Sequence, residues 1–565
     1  MPASRSSRNS SLGLLLIVSV YLIIATMYAA QVPAWQAPDE PAHYNYIHEL
    51  ATTGQFPVLK LGDYDEAYLE LLKSQKFPAD LPIHPIRYEA HQPPLYYLLA
   101  TGVFDVTGGK LLPLRLVSVV LGALLIVLTY AIAGLVLPGQ RAIHLGAAAL
   151  VAFLPMHVAT TAALNNDALA EVLLTVVLLL SIRYVKLGLL GPAPPRAVDA
   201  LLLGVVTGLA LITKVSAYVA VPVVLAALGI GWFEGRGRSG EGGGRNAEGE
   251  TQVTTHASRV VLHAGLVIIP ALALALPWYV RNAQLYGNLD ILGRQWHDAV
   301  VVGQLRTGEL IAQAGLGPTL ERMLVWTFDS FWGVFGWMGV WMDGRIYTLL
   351  LAWSLPIAVG CIALLTRQVT TRRTITSSPP TDSPIRPSPI RPSAHSPIHH
   401  LPIPNPQTAN LPIPSALQPR FQRWAFALLA LAALLTLGIY GSYNLIFVQP
   451  QGRYLFPALP IIGLAVALGW REALRPRTAR WAGLVLVGAA LVALGWTWWQ
   501  GNLNPWPVAI LVSGGGALLA WHLAAPRLAR PARHTLALLA YALPFAVLPL
   551  LDVLALNAFI LPQLT

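Results

Sequence analysis

An all-α fold, a polytopic integral membrane protein with about 13 transmembrane helices, is predicted by three observations. Of the 565 residues, 55% are hydrophobic and only 11% charged, and the mean hydropathy of +0.58 is too high for a soluble chain of this length. Apolar runs of about 20 residues recur, each long enough to cross roughly 30 Å of hydrocarbon as a helix. Alternation of period two is absent, which argues against a barrel.

Taken in order, the spans fall near 12–30, 112–136, 143–161, 168–187, 198–212, 216–232, 259–280, 346–366, 424–442, 455–470, 480–498, 506–524 and 535–560. The first follows Arg5 and Arg8 and lacks a small-residue cleavage site, so it reads as an anchor rather than a removed signal peptide. With the N-terminus inside, the basic segments Arg183–Lys186, Arg236–Arg259, Arg367–Arg423, Arg471–Arg480 and Arg527–Arg533 all fall inside too. The run Leu95–Phe104 must then not cross, and Ala200–Trp232 must be a hairpin. The net charge of +11 is therefore a topology signal and calls for no nucleic acid. The single cysteine, Cys361, excludes a disulfide framework and a cysteine metal site.

Three regions are expected. Residues 1–366 form an N-terminal transmembrane catalytic module, 367–423 a disordered Pro/Ser-rich cytoplasmic linker, and 424–565 the C-terminal transmembrane helices. A second, Gly-rich stretch, Glu234–Ala257, should also be disordered. Outside, the long loop 31–110 carries ten of the chain's 26 acids and should fold as short amphipathic helices on the membrane surface, for example over Glu66–Lys76. The segment 281–343 is also outside, and most of its aromatic run Trp326–Trp341 should form an interfacial belt, with one or two rings free to stack on a sugar or touch an isoprenoid chain.

Chemistry concentrates on that outer face. In Ala37-Pro38-Asp39-Glu40-Pro41-Ala42-His43-Tyr44, two adjacent carboxylates open a helix, with Pro41 in its first turn and His43 one turn beyond Asp39. The stretch is either a helix cap or a catalytic base held at the bilayer surface, where partial desolvation would raise the carboxyl pKa. The loop closes at Glu89-Ala90-His91-Gln92-Pro93-Pro94-Leu95-Tyr96-Tyr97, where two prolines halt a helix and present His91 and Gln92. Asn165-Asn166-Asp167 makes an outer turn, so Asn166 and Asp167 either bind substrate or cap a helix. Lys214, Arg281 and Arg453, the last followed by Tyr454, are cations at headgroup depth on the side where cations are scarce. Each could snorkel to ordinary phospholipid or bind a lipid phosphate.

Taken together, PDEPAHY, HQPPLYY, the Asn-Asn-Asp turn, PWYVRN and QGRYLFPALP resemble the C-type membrane glycosyltransferase superfamily, from the first span to about residue 470. The nearest branches are the protein mannosyltransferase and aminoarabinose transferase-like proteins. The resemblance implies a polyprenyl-phosphate-linked sugar donor, Asp39 as base with Glu40 and His43 as neighbours, and Lys214, Arg281 and Arg453 as phosphate ligands. It also implies an extracytoplasmic active site in the cell membrane and an acceptor that is a lipid, glycan or protein. Departure of a lipid phosphate needs one base and opposing positive charge, and attack from the far face of the sugar inverts the anomeric centre. No cofactor is demanded. Asp39, Glu40 and His43 would serve as ligands to a divalent metal, although adjacent carboxylates with one histidine are a weak metal signature. A lipid-linked-glycan transporter or flippase would instead place ionisable groups near mid-membrane, and a non-catalytic envelope-assembly protein would tolerate Asp39→Asn.

Overall fold

A computed structural model of the chain describes residues 5–190, 195–240, 247–287, 289–376, 418–499, 501 and 503–565. Among them, 11 helices are long and apolar enough to cross a membrane, or 12 with one bent pair. The chain is a multi-pass membrane protein. Two of the expected spans fall short of a plain crossing. Residues 143–161 divide into helices Arg141–Ala152 and Pro155–Thr161, bent by 60°, because Pro155 removes a backbone donor and holds Leu154 in the extended region. The expected span 198–212 is the helix Ala197–Leu211, only 15 residues long, which stacks on the helix Ala247–Tyr286. Gly204 and Gly208 permit that approach, since a side chain at either would strike the partner's backbone.

Close backbone approach recurs between helices Gly344–Thr376 and Leu459–Ala473. A side chain at Gly360 would run into the carbonyl oxygen of Gly469. Small residues at such crossings let dispersion hold helices together where lipid supplies no hydrophobic drive. One large core, running from Tyr21 and Tyr28 on the first span to Leu564, joins the spans.

The long loop contains the helices Glu40–Thr53, Glu66–Ser74 and Leu95–Thr107 and a 3-10 turn Tyr88–His91. Its 13-residue helix from Leu95 is too short to cross, at about 1.5 Å per residue. Segment 281–343 forms helices Arg294–Val300, Thr307–Ala314 and Leu316–Gly333, then two paired two-residue strands, with Val334 opposite Trp341. It is more than an interfacial belt. Trp332 and Phe335 are buried, Phe331 packs on Phe456, and Trp337 donates to the Trp35 carbonyl at 3.0 Å.

The ends of the two segments expected as linkers are helical where they are described. Helices ending at Gly240 and Thr376, and starting at Ala247 and Gln418, take up their ends. The remainder, 241–246 and 377–417, lies outside the described residues.

Candidate active site

The adjacent carboxylates of Asp39 and Glu40 are sent to opposite jobs. Glu40, fully buried, receives Arg115 in a fork, with Nε to Oε1 at 2.7 Å and Nη2 to Oε2 at 2.6 Å. The backbone N–H groups of Trp35 and Leu164 also donate to it. Arg115 spends its remaining donors on the carbonyls of Ala29, Val32 and Pro33. Glu40 therefore anchors the end of the first span to the loop and has no capacity left for chemistry. This corrects its expected place beside a catalytic base.

Asp39 stands at the cap position of its helix, yet its side chain makes no capping bond and its φ is +68°. A left-handed conformation is uncommon in a non-glycine residue, although aspartate adopts it more readily than most, and surrounding contacts hold it here. Those contacts are visible. Asp39 Oδ2 accepts from Arg453 Nη2 at 2.8 Å, and Oδ1 accepts from the Tyr88 hydroxyl at 2.8 Å. Partial burial works against the carboxylate charge, but the Arg453 guanidinium, His43 and these hydrogen bonds outweigh it and hold its pKa below the usual carboxylate value. The raised pKa expected from desolvation is thus reversed by a partner 414 residues away.

Arg453 arrives on the 3-10 turn Gly452–Ala458, which packs on the helix Leu316–Gly333. Gly452 is required there. A Cβ would collide with the backbone of Phe331, and its own N–H donates to the Ser330 hydroxyl at 2.8 Å. Arg453 Nε is oriented by Gln451 Oε1 at 2.8 Å, and Tyr454 lies under the guanidinium, 5.4 Å to the ring centre.

A second ion pair, Lys214 Nζ to Asp167 Oδ1 at 2.7 Å, forms beside the first. Partial burial disfavours the ammonium, yet Asp167 and Glu89 raise its pKa above the ordinary lysine value. The capping alternative for this turn goes to Asn165, whose Oδ1 accepts from the N–H groups of Asp167 and Ala168 and leaves the Asp167 carboxylate free for Lys214. Asn166 is fully buried, donates to Gln92 Oε1 at 3.3 Å, and leaves its own Oδ1 without a partner.

His43 shares a 2.8 Å hydrogen bond with the Tyr97 hydroxyl. Burial lowers its pKa, with Glu89, Lys214, Asp39 and Asp167 all acting on it electrostatically. His91 is buried too, its Nδ1 3.1 Å from the Tyr88 carbonyl and its ring 4.5 Å from that of His297. Burial and His297 push its pKa well below the ordinary value.

Arg281 does not join this group. Its guanidinium clamps the carbonyls of Phe56 and Pro57, at 3.1 and 2.7 Å, and lies over Trp278. It staples the loop to a span end. Nothing in PWYVRN distinguishes that role from phosphate binding. Among the described residues, no three His, Cys, Asp or Glu side chains converge as metal ligands, and Asp39, Glu40 and His43 each turn to a different partner, so this donor set does not fit a divalent cation.

Arg115 and Tyr88 escaped sequence reasoning, and Glu89 and Tyr97 stood in the quoted loop-closing motif without a role assigned to them. An arginine inside an otherwise apolar span is the signal that would have found Arg115. Glu89 stood in a motif already singled out, and its Oε2 is buried without a hydrogen-bond partner. Deeper, one turn below Asp167 on the same helix face, Glu171 pairs with His157 at 3.2 Å.

Beside Asp39 and Arg453 lies a small, mostly apolar pocket of about 40 Å³, lined among others by Gln36, Pro38, Arg115, Met156, Phe335 and Arg453. A carboxylate and two cations gathered in one place suit an anionic headgroup.

Residues 91–236 match the family of dolichyl-phosphate-mannose-protein mannosyltransferases. The match runs from His91 through Asp167 and Lys214 and takes in HQPPLYY and the Asn-Asn-Asp turn, whereas PDEPAHY, PWYVRN and QGRYLFPALP lie outside it. Solved structures with a similar course include ArnT from Cupriavidus metallidurans bound to undecaprenyl phosphate, at 15% identity and a TM-score of 0.45, covering 96% of this chain and 76% of that one. Its apo state gives 13% and 0.44 over the same shares. The S. cerevisiae protein O-mannosyltransferase Pmt1-Pmt2 complex bound to its sugar donor gives 16% and 0.33, covering 48% of this chain and 34% of that one. No curated protein matches the chain.

The histidines make a pH prediction. Their folded pKa values lie below 6.5, so the stability they contribute is complete above about pH 6.5 and is lost as pH falls through that value toward the folded ones. Asp39 acts in the same direction, but only below its ordinary 3.8. Thermal unfolding of the detergent-purified chain is expected to be flat from pH 8 to 7 and to lose up to ~1.4 kcal/mol per histidine one unit below pH 6.5. His91→Gln should flatten that fall; an unchanged slope would contradict it.

Proposed function

We propose that this protein is a membrane glycosyltransferase that moves a sugar from a polyprenyl-phosphate-linked donor to a hydroxyl of an extracytoplasmic acceptor, with inversion. The observation that carries the reading is the Arg453–Asp39 pair, which joins the PDEPAHY and QGRY motifs at one membrane face beside Lys214 and Asp167. The donor phosphate sits against Arg453 and Lys214. A phosphate competing for the Arg453 guanidinium loosens the partner that holds the Asp39 pKa down, so the base strengthens when the donor is in place. The acceptor oxygen then attacks the anomeric carbon and gives its proton to Asp39. The carbon–oxygen bond to phosphate breaks, and its electron pair leaves with the polyprenyl phosphate, whose charge the two cations absorb. A single displacement by the acceptor oxygen, with Asp39 as base, inverts the centre.

The transporter alternative needs ionisable groups at mid-membrane. The Glu171–His157 pair lies only about 6 Å, one helical turn, below the site, which favours a supporting layer of that site. The test is donor loading. Mass spectrometry of the purified protein with a polyprenyl-phosphate sugar should show that Arg453→Ala weakens donor retention by at least tenfold, as loss of a charge-assisted contact does, and acceptor affinity far less. Equal effects on both would remove Arg453 from phosphate contact.

A further inference from the structure

The end of the bundle away from Asp39 holds a second charged cavity. From Arg453 to Arg471 the chain runs 18 positions along one span, Gly452–Ala473, and so roughly 27 Å at helical rise. There the turn after Arg471 meets the start of the helix Arg530–Leu554, and between them opens a concavity of about 1150 Å³, including the space at its mouth. Four arginines line it, Arg471, Arg475, Arg530 and Arg533, together with His534, and no acidic residue does.

Its walls are held by bonds that do not use the arginines. Trp521 Nε1 donates to the Leu474 carbonyl at 2.7 Å, His522 Nδ1 is 2.8 Å from the Pro476 carbonyl, and Tyr541 donates to the Ala142 carbonyl at 3.0 Å. Two of the four cations are engaged: Arg471 donates to Gln140 Oε1 at 2.6 Å, and Arg475 pairs with Glu472 at 3.0 Å. The side chains of Arg530 and Arg533 make no hydrogen bond or ion pair with the described residues. A topology signal requires positive charge near span ends and nothing more. Arg475 is neutralised by Glu472, but Arg471, Arg530 and Arg533 face the same concavity with no acidic residue in its lining, and an anion between them would relieve their repulsion.

We propose that this cavity binds the phosphate of an anionic membrane phospholipid. Its level, at the ends of the flanking spans, is where headgroups lie. Below it the spans Pro505–Arg527 and Arg530–Leu564 each have only 22% of their most apolar stretch buried, which leaves apolar surface for the acyl chains. Arg530 and Arg533 supply forked donors to the phosphate oxygens, with Arg471 and Arg475 adding charge from the other wall.

The full-length purified chain, delipidated in detergent and titrated with phosphatidylglycerol or phosphatidylcholine under native mass spectrometry, tests this. One phosphatidylglycerol should be retained in at least about tenfold preference over phosphatidylcholine. Arg530→Gln/Arg533→Gln should reduce that preference about fivefold per arginine, whereas Arg477→Gln, on the same face outside this cavity, should leave it unchanged. Arg530→Gln alone, with its expected fivefold loss, keeps the result readable if the double variant does not fold. Equal retention of the two lipids, or a preference unmoved by the cavity variants, overturns the site. Displacement of the lipid by millimolar inorganic phosphate would overturn the lipid as its occupant.

Discussion

Asp39→Asn is expected to lower sugar transfer by roughly two to four orders of magnitude, the range for loss of a positioned general base, while the protein still inserts and retains its lipid donor. The reason is local. An asparagine fits the site and keeps one oxygen to accept from Arg453 or Tyr88, which now bind both carboxylate oxygens at 2.8 Å. It has no basic oxygen to receive the acceptor proton. Left-handed backbone at position 39, φ +68°, is tolerated by asparagine as well as by aspartate, so the fold should not confuse the result. Single-turnover assays with loaded donor would separate the chemical step from donor binding. Unchanged turnover would take Asp39 out of the base's role, and a parallel loss of donor retention would make it a binding residue instead.

Glu40→Ala should cost about 3 to 5 kcal/mol of stability, since it strands a buried guanidinium. The Arg115 side chain is only 4% exposed and that of Glu40 is 0%. Removing the carboxylate leaves Nε and part of Nη2 without an acceptor and also orphans the N–H groups of Trp35 and Leu164. Replacing both partners with apolar residues of similar volume, Glu40→Leu with Arg115→Met, should recover much of the loss, because no charge is then left buried. Unfolding midpoints in detergent would decide it: a Glu40→Ala midpoint within a degree or two of the parent would mean that the fork contributes little. Activity offers a second readout. Asp39 is the next residue, and release of this anchor should impair transfer even in molecules that remain folded.

Much of the architecture was legible because lipid imposes a simple rule: a crossing helix must be long and apolar. All 11 unbroken spans coincide with apolar runs read from the chain. The failures had local causes. Pro155 broke one run, and the Ala197–Leu211 run folded into a helix of 15 residues. The site was legible in part. Asp39, His43, Asp167, Lys214 and Arg453 meet, since polar residues at one face of a bundle have few places to go. Arg281 and Glu40 looked equivalent to them by type and position, yet each is consumed by a neighbour, the Phe56 and Pro57 carbonyls for one and Arg115 for the other.

Hydrophobic run length and the distribution of Arg and Lys, both properties of a sequence alone, determined that this chain lives in a membrane, crosses it many times and gathers a set of charged and polar residues at span ends. Partner choice was decided only in three dimensions. Which of two adjacent carboxylates is locked in a buried fork, and which faces a cation 414 residues away with its pKa lowered, depends on contacts between distant segments, because charge interactions follow distance in space and local burial rather than order along the chain.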